Sequence, residues 1–394
     1  MTPAWLLAFT AAFITLQPMS TDLFQAALPA IGTAFGVPVA SVQLTLTVFI
    51  AAFGVWQLVA GPLSDRFGRR PVALAGVLTY VGASIVCMVA PSMPYLISGR
   101  ALQAVGACSC LVAARAMVRD ELTPENGARL LAAGGTILGI CTVIGPIVGG
   151  LLQAAFGWRA TFGAMLAVSA TVALATALRL KETHRSPNRD ALRAGPLARA
   201  YAQVARTPSW HAYTWPAVAS YAGLFSFISG GSFVLIRVLG VAPVYYGFCF
   251  SFVVAGYITG TLLCRRGVPR HGLPWTMRRG ALLQVAAGIA FAGLALGGVH
   301  HPLALLAPQF VFMIGHGLIQ PVSQAGSVAH FPHSAGVAAA ALGLVMMLAA
   351  AAVGQWIGAS FDGTVYPLAL TIAACGAASA LAAFTLVKRY GALD

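Results

Sequence analysis

Charge is what this 394-residue chain has least of: Asp, Glu, Lys and Arg together make up 8% of it, and only nine residues are acidic. A soluble domain carries about 25% charged residues. With 59% hydrophobic residues, no water-soluble fold has interior enough to hide the apolar surface, so the bilayer must serve as solvent. No Lys or Arg precedes Arg66. The apolar N-terminus therefore lacks the basic start of a signal peptide and reads as an uncleaved first span. No CxxC and no cysteine–histidine cluster occurs, so the seven cysteines read as small hydrophobes. HExxH, the Walker loop and GxSxG are all missing, and with them the usual signatures of hydrolytic and nucleotide-driven chemistry. The net charge of +14 does not point to nucleic acid, because it lies in short loops between apolar runs.

What is present is a series of long apolar runs. A spanning helix needs roughly 20 residues. Runs of that length fall at 5–28, 41–62, 71–90, 95–117, 128–152, 159–180, 211–236, 244–264, 280–298, 303–323, 335–358 and 366–387. They predict an all-α integral membrane protein of twelve helices. The positive-inside rule orients it. With the N-terminus inside, twenty of the 23 basic residues fall on the inner side and only Arg100, Arg159 and Arg237 on the outer, so both termini are expected in the cytoplasm. The polar stretch 181–207 reads as a cytoplasmic linker between six-helix halves at 1–180 and 208–394. Lys181, Arg185, Arg189 and Arg193 would share one face if that stretch were helical. The halves carry related inner loops: GPLSDRFGRRP from Gly61 and GTLLCRRGVPR from Gly260. Overlaying them pairs Gly68 with Gly267 and leaves the second copy without an acid opposite Asp65. Two matching halves are the plan of transporters that rock about a central cavity.

Several motifs carry a resemblance. GPLSDRFGRRP (residues 61–71) resembles the loop 2–3 signature of the major facilitator superfamily. The resemblance implies a cytoplasmic gate built from Gly61, Asp65, Arg66, Gly68, Arg69 and Arg70, with Asp120 a partner for the arginines. RALQAVGAC (100–108) and CTVIGPIVGG (141–150) resemble the fourth- and fifth-helix motifs of the drug:proton antiporters. The second usually opens with glycine where Cys141 stands here; Gly145, Pro146, Gly149 and Gly150 are intact. MSTDLFQAALP (19–29) resembles the first helix of the Bcr/CflA-type bicyclomycin and chloramphenicol/florfenicol exporters. Some of these have a second acid two turns earlier, where this chain has Ile14. The implied function is proton-coupled export of amphiphilic small molecules, phenicol-like antibiotics among them, by alternating access across the bacterial inner membrane. Export or import of a metabolite by the same fold, or a receptor that keeps the fold without transport, are the alternatives.

Asp22 is the expected proton carrier, because an acid in mid-membrane costs roughly 2.5–3.5 kcal/mol and is seldom kept for packing. Counting inward from Leu28 and from Pro94 places Asp22 and Arg100 at one depth, about 9 Å below the outer surface. Loss of water favours the neutral acid and a nearby guanidinium favours the carboxylate, so an arginine that approaches and withdraws would change proton affinity. Gln25, Gln103, Tyr221, Phe225, Phe227, Tyr257, His316 and Gln320 are the candidates for lining the substrate cavity. No cofactor beyond the coupling proton is expected, and no metal. The expected partners are a small-molecule substrate and the lipid bilayer, not nucleic acid, and the chain is expected to act as a monomer.

Overall fold

Residues 3–184, 194–331 and 334–391 are described by a computed structural model of the chain. Among them every regular element is helical, as a bilayer demands of any chain that cannot close a barrel. The first half contains α1 (Pro3–Asp22), α2 (Leu28–Phe35), α3 (Val39–Phe67), α4 (Arg69–Met88), α5 (Met93–Glu121), α6 (Pro124–Phe156) and α7 (Arg159–Arg179). The second contains α8 (Ala194–Arg206), α9 (Pro208–Ser232, prolonged by the π-helical segment Phe233–Val238), α10 (Pro243–Leu296), α11 (Pro302–Val328) and α12 (Ala335–Ser360). It closes with α13 (Tyr366–Ala382), prolonged by Ala383–Val387 and α14 (Lys388–Tyr390). The chain forms two compact units, Met1–Ala194 and Gly195–Asp394. Arg185, Arg189 and Arg193 lie outside the described residues. Helix α8, within the stretch read as linker, packs Val204 into the core of the second unit.

Among the described residues, eleven helical stretches are long and apolar enough to cross a membrane. One of them, α10, is 54 residues long. As a straight rod it would measure about 81 Å, far beyond a bilayer. It is broken at Gly272 (φ 79°, ψ 173°), a conformation only glycine adopts without strain. Its two arms fold back beside one helix. A Cβ on Gly260 would meet the Ile314 carbonyl of α11, and a Cβ on Gly280 would meet the carbonyl of Gly315, the very next residue. The arms are therefore the two spans expected at 244–264 and 280–298, giving twelve crossings.

The same break identifies the internal repeat. Gly68 (φ 99°, ψ 164°) separates α3 from α4 as Gly272 separates the arms of α10. Gly267, the partner from the sequence overlay, lies within the helix. The overlay was thus five residues out of register. In the corrected register Pro269 faces Asp65 and Leu273 faces Arg69, so the second half lacks both the acid and the arginine. Helix crossings agree. In the first unit Gly76 of α4 and Gly106 of α5 meet backbone to backbone, with Gly106 also against Tyr80; in the second, Gly280 and Gly315 do the same, with Gly315 against Gln284. In lipid the association of helices depends on such close approach of small residues.

Val in place of Gly106 or Gly315 puts a side chain into opposing backbone and is expected to cost about 1–3 kcal/mol or more. Gly82→Ala, with open space around it, is the control. The melting temperature of the purified protein in detergent should fall by several degrees for the first two and stay put for the third.

Candidate functional site

The first span does not run straight to an outer end at Leu28. Helix α1 carries Pro18 and stops at Asp22; a 3-10 turn follows at Gln25–Ala27, and α2 continues to Phe35. The first span therefore ends further along than the sequence count assumed, and Asp22 lies further from that end. The carboxylate sits at the break itself and is 4% exposed. Oδ1 accepts from the Thr21 hydroxyl at 3.0 Å and from Gln25 Nε2 at 3.2 Å.

Helix α6 makes room for this break. A Cβ on Gly134 would touch Ile14, one on Gly145 would touch the Cβ of Asp22, and one on Gly149 would run into the Leu23 carbonyl. The glycines of the GPxxGG motif therefore admit α1 at the position of its acid. Cys141, where the motif usually has glycine, lies within electrostatic reach of Asp22.

Arg100 reaches the same break without pairing with Asp22. It is fully buried. Its NH2 donates to the Ser20 carbonyl at 2.9 Å, its Nε to the Thr45 carbonyl at 3.3 Å, and its NH1 to Gln103 Oε1 at 2.8 Å. The Phe24 and Phe49 rings lie 4.8 and 4.5 Å from the guanidinium carbon and supply cation–π contact in place of a counter-ion. Gln103 passes the network on to the Ser84 hydroxyl at 2.9 Å, and Tyr80 bonds Ser20. Gln103, expected to line the cavity, is sealed in as the arginine's partner. Gln25, equally buried, belongs to Asp22.

In the loop expected to form a gate, one arginine does most of the bonding. Arg69 is 1% exposed and bridges two acids. NH1 meets Asp65 Oδ1 at 2.7 Å and Nε meets Asp120 Oδ2 at 2.7 Å, while NH1 also donates to Ser64 Oγ at 3.2 Å. Arg66 turns to the Phe67 ring, and Arg70 donates to the Ala177 carbonyl. Gly61 has no neighbour within 4 Å of a Cβ built on it. Gly68 supplies the left-handed turn, and Glu182 fills the space a side chain there would need.

Glu182 was not foreseen. From the segment after α7 its carboxylate accepts from the backbone N–H groups of Arg69 (2.9 Å), Arg70 (3.1 Å), Thr183 (3.0 Å) and His184 (2.9 Å). It thus caps the first turn of α4, whose own preceding residue is glycine and has no side chain to do so. Partial burial pushes its acid up, but the four N–H donors outweigh that and hold it below its ordinary value of 4.5. His184 closes the group with a 3.0 Å bond between Nε2 and the Asp65 carbonyl.

The second unit holds a neutral counterpart. His316 Nδ1 is 2.8 Å from the Ser220 hydroxyl, which also accepts from Gln284 Nε2. The Tyr257 and Tyr221 ring centres lie 5.6 and 6.2 Å from that of His316. Gln320 donates to the Ala217 carbonyl at 3.5 Å, and Phe225 stacks on Tyr221. These five candidates come together. Phe227 does not: it is fully buried, stacks on Phe250 and belongs to the core. Among the described residues no group of three or more His, Cys, Asp or Glu side chains could hold a metal ion.

A buried acid at a broken helix, an arginine without a counter-ion and two repeated six-span units are the parts of a membrane transporter. The major facilitator superfamily model matches residues 9–355, and the chain belongs to that family. It is similar to a chloramphenicol resistance protein of Pseudomonas aeruginosa, 29% identical over 86% of this chain and 81% of the relative. A bicyclomycin resistance protein homolog of Haemophilus influenzae is 27% identical over 95% and 93%. The multidrug resistance protein MdtL of Salmonella typhimurium is 34% identical over 48% of each chain. Among solved structures, a bacterial homolog of the human lysosomal transporter Spinster in an inward-facing, occupied conformation gives a TM-score of 0.74 at 16% identity, covering 98% of this chain and 97% of that one. The protein is a multi-pass membrane transporter, not an enzyme.

Because Glu182 has a depressed folded-state pKa, its cap contributes fully above the ordinary value of 4.5 and is lost as pH falls through the lower folded value. Glu182→Ala is expected to cost about 0.5–1 kcal/mol near neutral pH, discounted for solvent exposure. The melting-temperature difference from wild type should shrink toward zero as the buffer is acidified through that range.

Proposed function

We propose that the protein exports uncharged or amphiphilic small molecules from the bacterial cytoplasm in exchange for protons, with Asp22 as the proton carrier. It would do so in the inner membrane, as a monomer, with both termini on the cytoplasmic side. The observation that carries this reading is the placement of Asp22 at the break between α1 and the 3-10 turn, with its Cβ against Gly145 and the following Leu23 backbone against Gly149 of α6. A carboxyl at a break has backbone beside it that can rearrange when its charge changes. The glycine face opposite meets that backbone with no side chain between. Arg100 stands two residues back on the Ser20 carbonyl, close enough to engage the ionised acid after a modest shift of α1.

Coupling then follows from charge alone. A proton entering from outside neutralises Asp22 and removes any attraction to Arg100. Release to the inside restores the carboxylate and, with it, the charge that disfavours a dry environment. Each proton entering down 100 mV makes available about 2.3 kcal/mol for uphill export. The Arg69 latch at the inner end, tied to Asp65 and Asp120, is suited to hold the cytoplasmic ends of α3, α4 and α5 as one body while that change takes place. The names of the relatives, which concern chloramphenicol, bicyclomycin and multiple drugs, support an antibiotic-sized cargo.

Asp22→Asn keeps an oxygen for Thr21 and Gln25 but cannot carry a proton. In proteoliposomes with an imposed proton gradient, uphill transport by this variant is expected to fall at least about tenfold. Substrate binding should survive. Uphill, protonophore-sensitive transport at the wild-type rate would overturn the assignment. Gly149→Val, aimed at the Leu23 carbonyl, should likewise abolish transport, whereas Gly139→Ala, in open space, should not.

A further inference from the structure

Three charged side chains are buried among the described residues, Asp22, Arg69 and Arg100, and all belong to the first unit. Every described Asp, Glu, Lys and Arg of the second unit is exposed or half-buried. The repeat makes the contrast sharper. The register set by Gly106 and Gly315 puts Gln309 where the first half has Arg100; the register of Gly76 and Gly280 puts Gln284 where it has Tyr80. Ser220, which bonds Gln284, stands where Ser20 bonds Tyr80. One polar scaffold is thus built twice, with charge in the first copy and without it in the second. Only the second carries an imidazole, His316.

The hydrogen bonds fix how that imidazole is presented. Ser220 Oγ accepts from Gln284 Nε2, and its own proton has one acceptor within reach, His316 Nδ1. With the Gln284 amide in this orientation Nδ1 accepts, which assigns the ring proton to Nε2. Nε2 has no hydrogen-bond partner among the described residues, although 97% of the residue is buried, its relative exposure being 3%. The Gln284 amide oxygen is buried without a partner. An N–H donor without a protein acceptor, oriented by two polar neighbours and flanked by the half-exposed rings of Tyr221 and Tyr257, is placed to give its proton to a ligand.

Building on the export reading above, we infer that His316 Nε2 is a substrate-recognition donor, and that its ligand is an uncharged, ring-bearing molecule with an acceptor oxygen. The ring would lie against Tyr221 and Tyr257 and the oxygen would accept from Nε2. A cationic ligand finds no carboxylate here, because no described acid of the second unit is buried. Discrimination between neutral and cationic cargo then belongs to the second half and proton coupling to the first. Ser220 and Gln284 are positioning residues, acting through the tautomer they impose.

Equilibrium binding to the full-length protein in lipid nanodiscs tests this, with chloramphenicol as the uncharged acceptor-bearing probe and tetraphenylphosphonium as a cation of aromatic rings without an acceptor. His316→Phe keeps a ring and removes the donor. Ser220→Ala leaves the histidine but frees its tautomer. Each is expected to weaken chloramphenicol binding about fivefold to tenfold, the worth of one hydrogen bond, and to change tetraphenylphosphonium binding less than about twofold. Unchanged chloramphenicol affinity in both variants overturns the inference. So does equal weakening of both probes, the mark of a merely structural role, or a wild type that binds no uncharged acceptor-bearing ring compound while it still transports. If Asp22→Asn transports uphill normally but His316→Phe weakens chloramphenicol selectively, the coupling reading falls and this one stands.

Discussion

Close backbone contact at glycine is the constraint on which this structure depends. Lipid chains are as apolar as leucine, so burying a helix face against another helix removes nothing from water. What holds the spans together is contact that lipid cannot supply, and such contact needs residues without side chains. Gly76 on Gly106, Gly280 on Gly315, and Gly256 and Gly260 on the α11 backbone are such points. Each lets polar side chains on the approaching helices reach one another. Tyr80 meets Ser20 one turn from the Gly76 crossing, and Gln284 meets Ser220 one turn from Gly280. Packing and polar networks are one device, repeated in each half.

The charges follow from the same geometry. Arg100 can be buried because the spans come close enough to surround it with two carbonyl oxygens, an amide oxygen and two aromatic faces. That shell satisfies a cation without neutralising it. An arginine already fully bonded to a carboxylate would be a static pair. One held by backbone and rings keeps a positive charge next to a titratable acid, free to be answered or not. Asp22 at a helix break and Arg100 on the last intact turn before it form such an arrangement, and Gly149 fixes the break by receiving the Leu23 carbonyl.

Composition, span length and the bias of basic residues disclosed the membrane, the helices and their number, and Asp22 stood out as an acid in an apolar run. The GPxxGG glycines were legible as a surface for a neighbouring helix, but not as a surface for the turn that bears the acid, because a contact partner leaves no trace in spacing. The break at Asp22 was hidden for a related reason. Leu28 and the residues after it are as apolar as those before, and Pro18 alone does not show where the helix stops. The repeat was found through similar letters and so was misregistered: Gly267 sits in a basic run like that around Gly68, yet the backbone turns at Gly272. Glu182 could not be found at all, since its role is to bond N–H groups of a helix more than 100 residues earlier.

The misregistration matters for function. With Pro269 and Leu273 at the positions of Asp65 and Arg69, the second half has not merely lost an acid from a gate but never assembles one. Its inner loop can turn on Gly272 without an ion cluster to open or close. The interior shows the same division, with Gln309 in the place of Arg100 and an imidazole set by Ser220 where the first half spends its polar groups on a cation. A transporter that used both halves alike for protons would have to bury charge twice, at several kcal/mol each time. Under the proposed coupling, confining buried charge to one half leaves the other a neutral surface on which hydrogen-bond geometry would select cargo apart from the Asp22 charge.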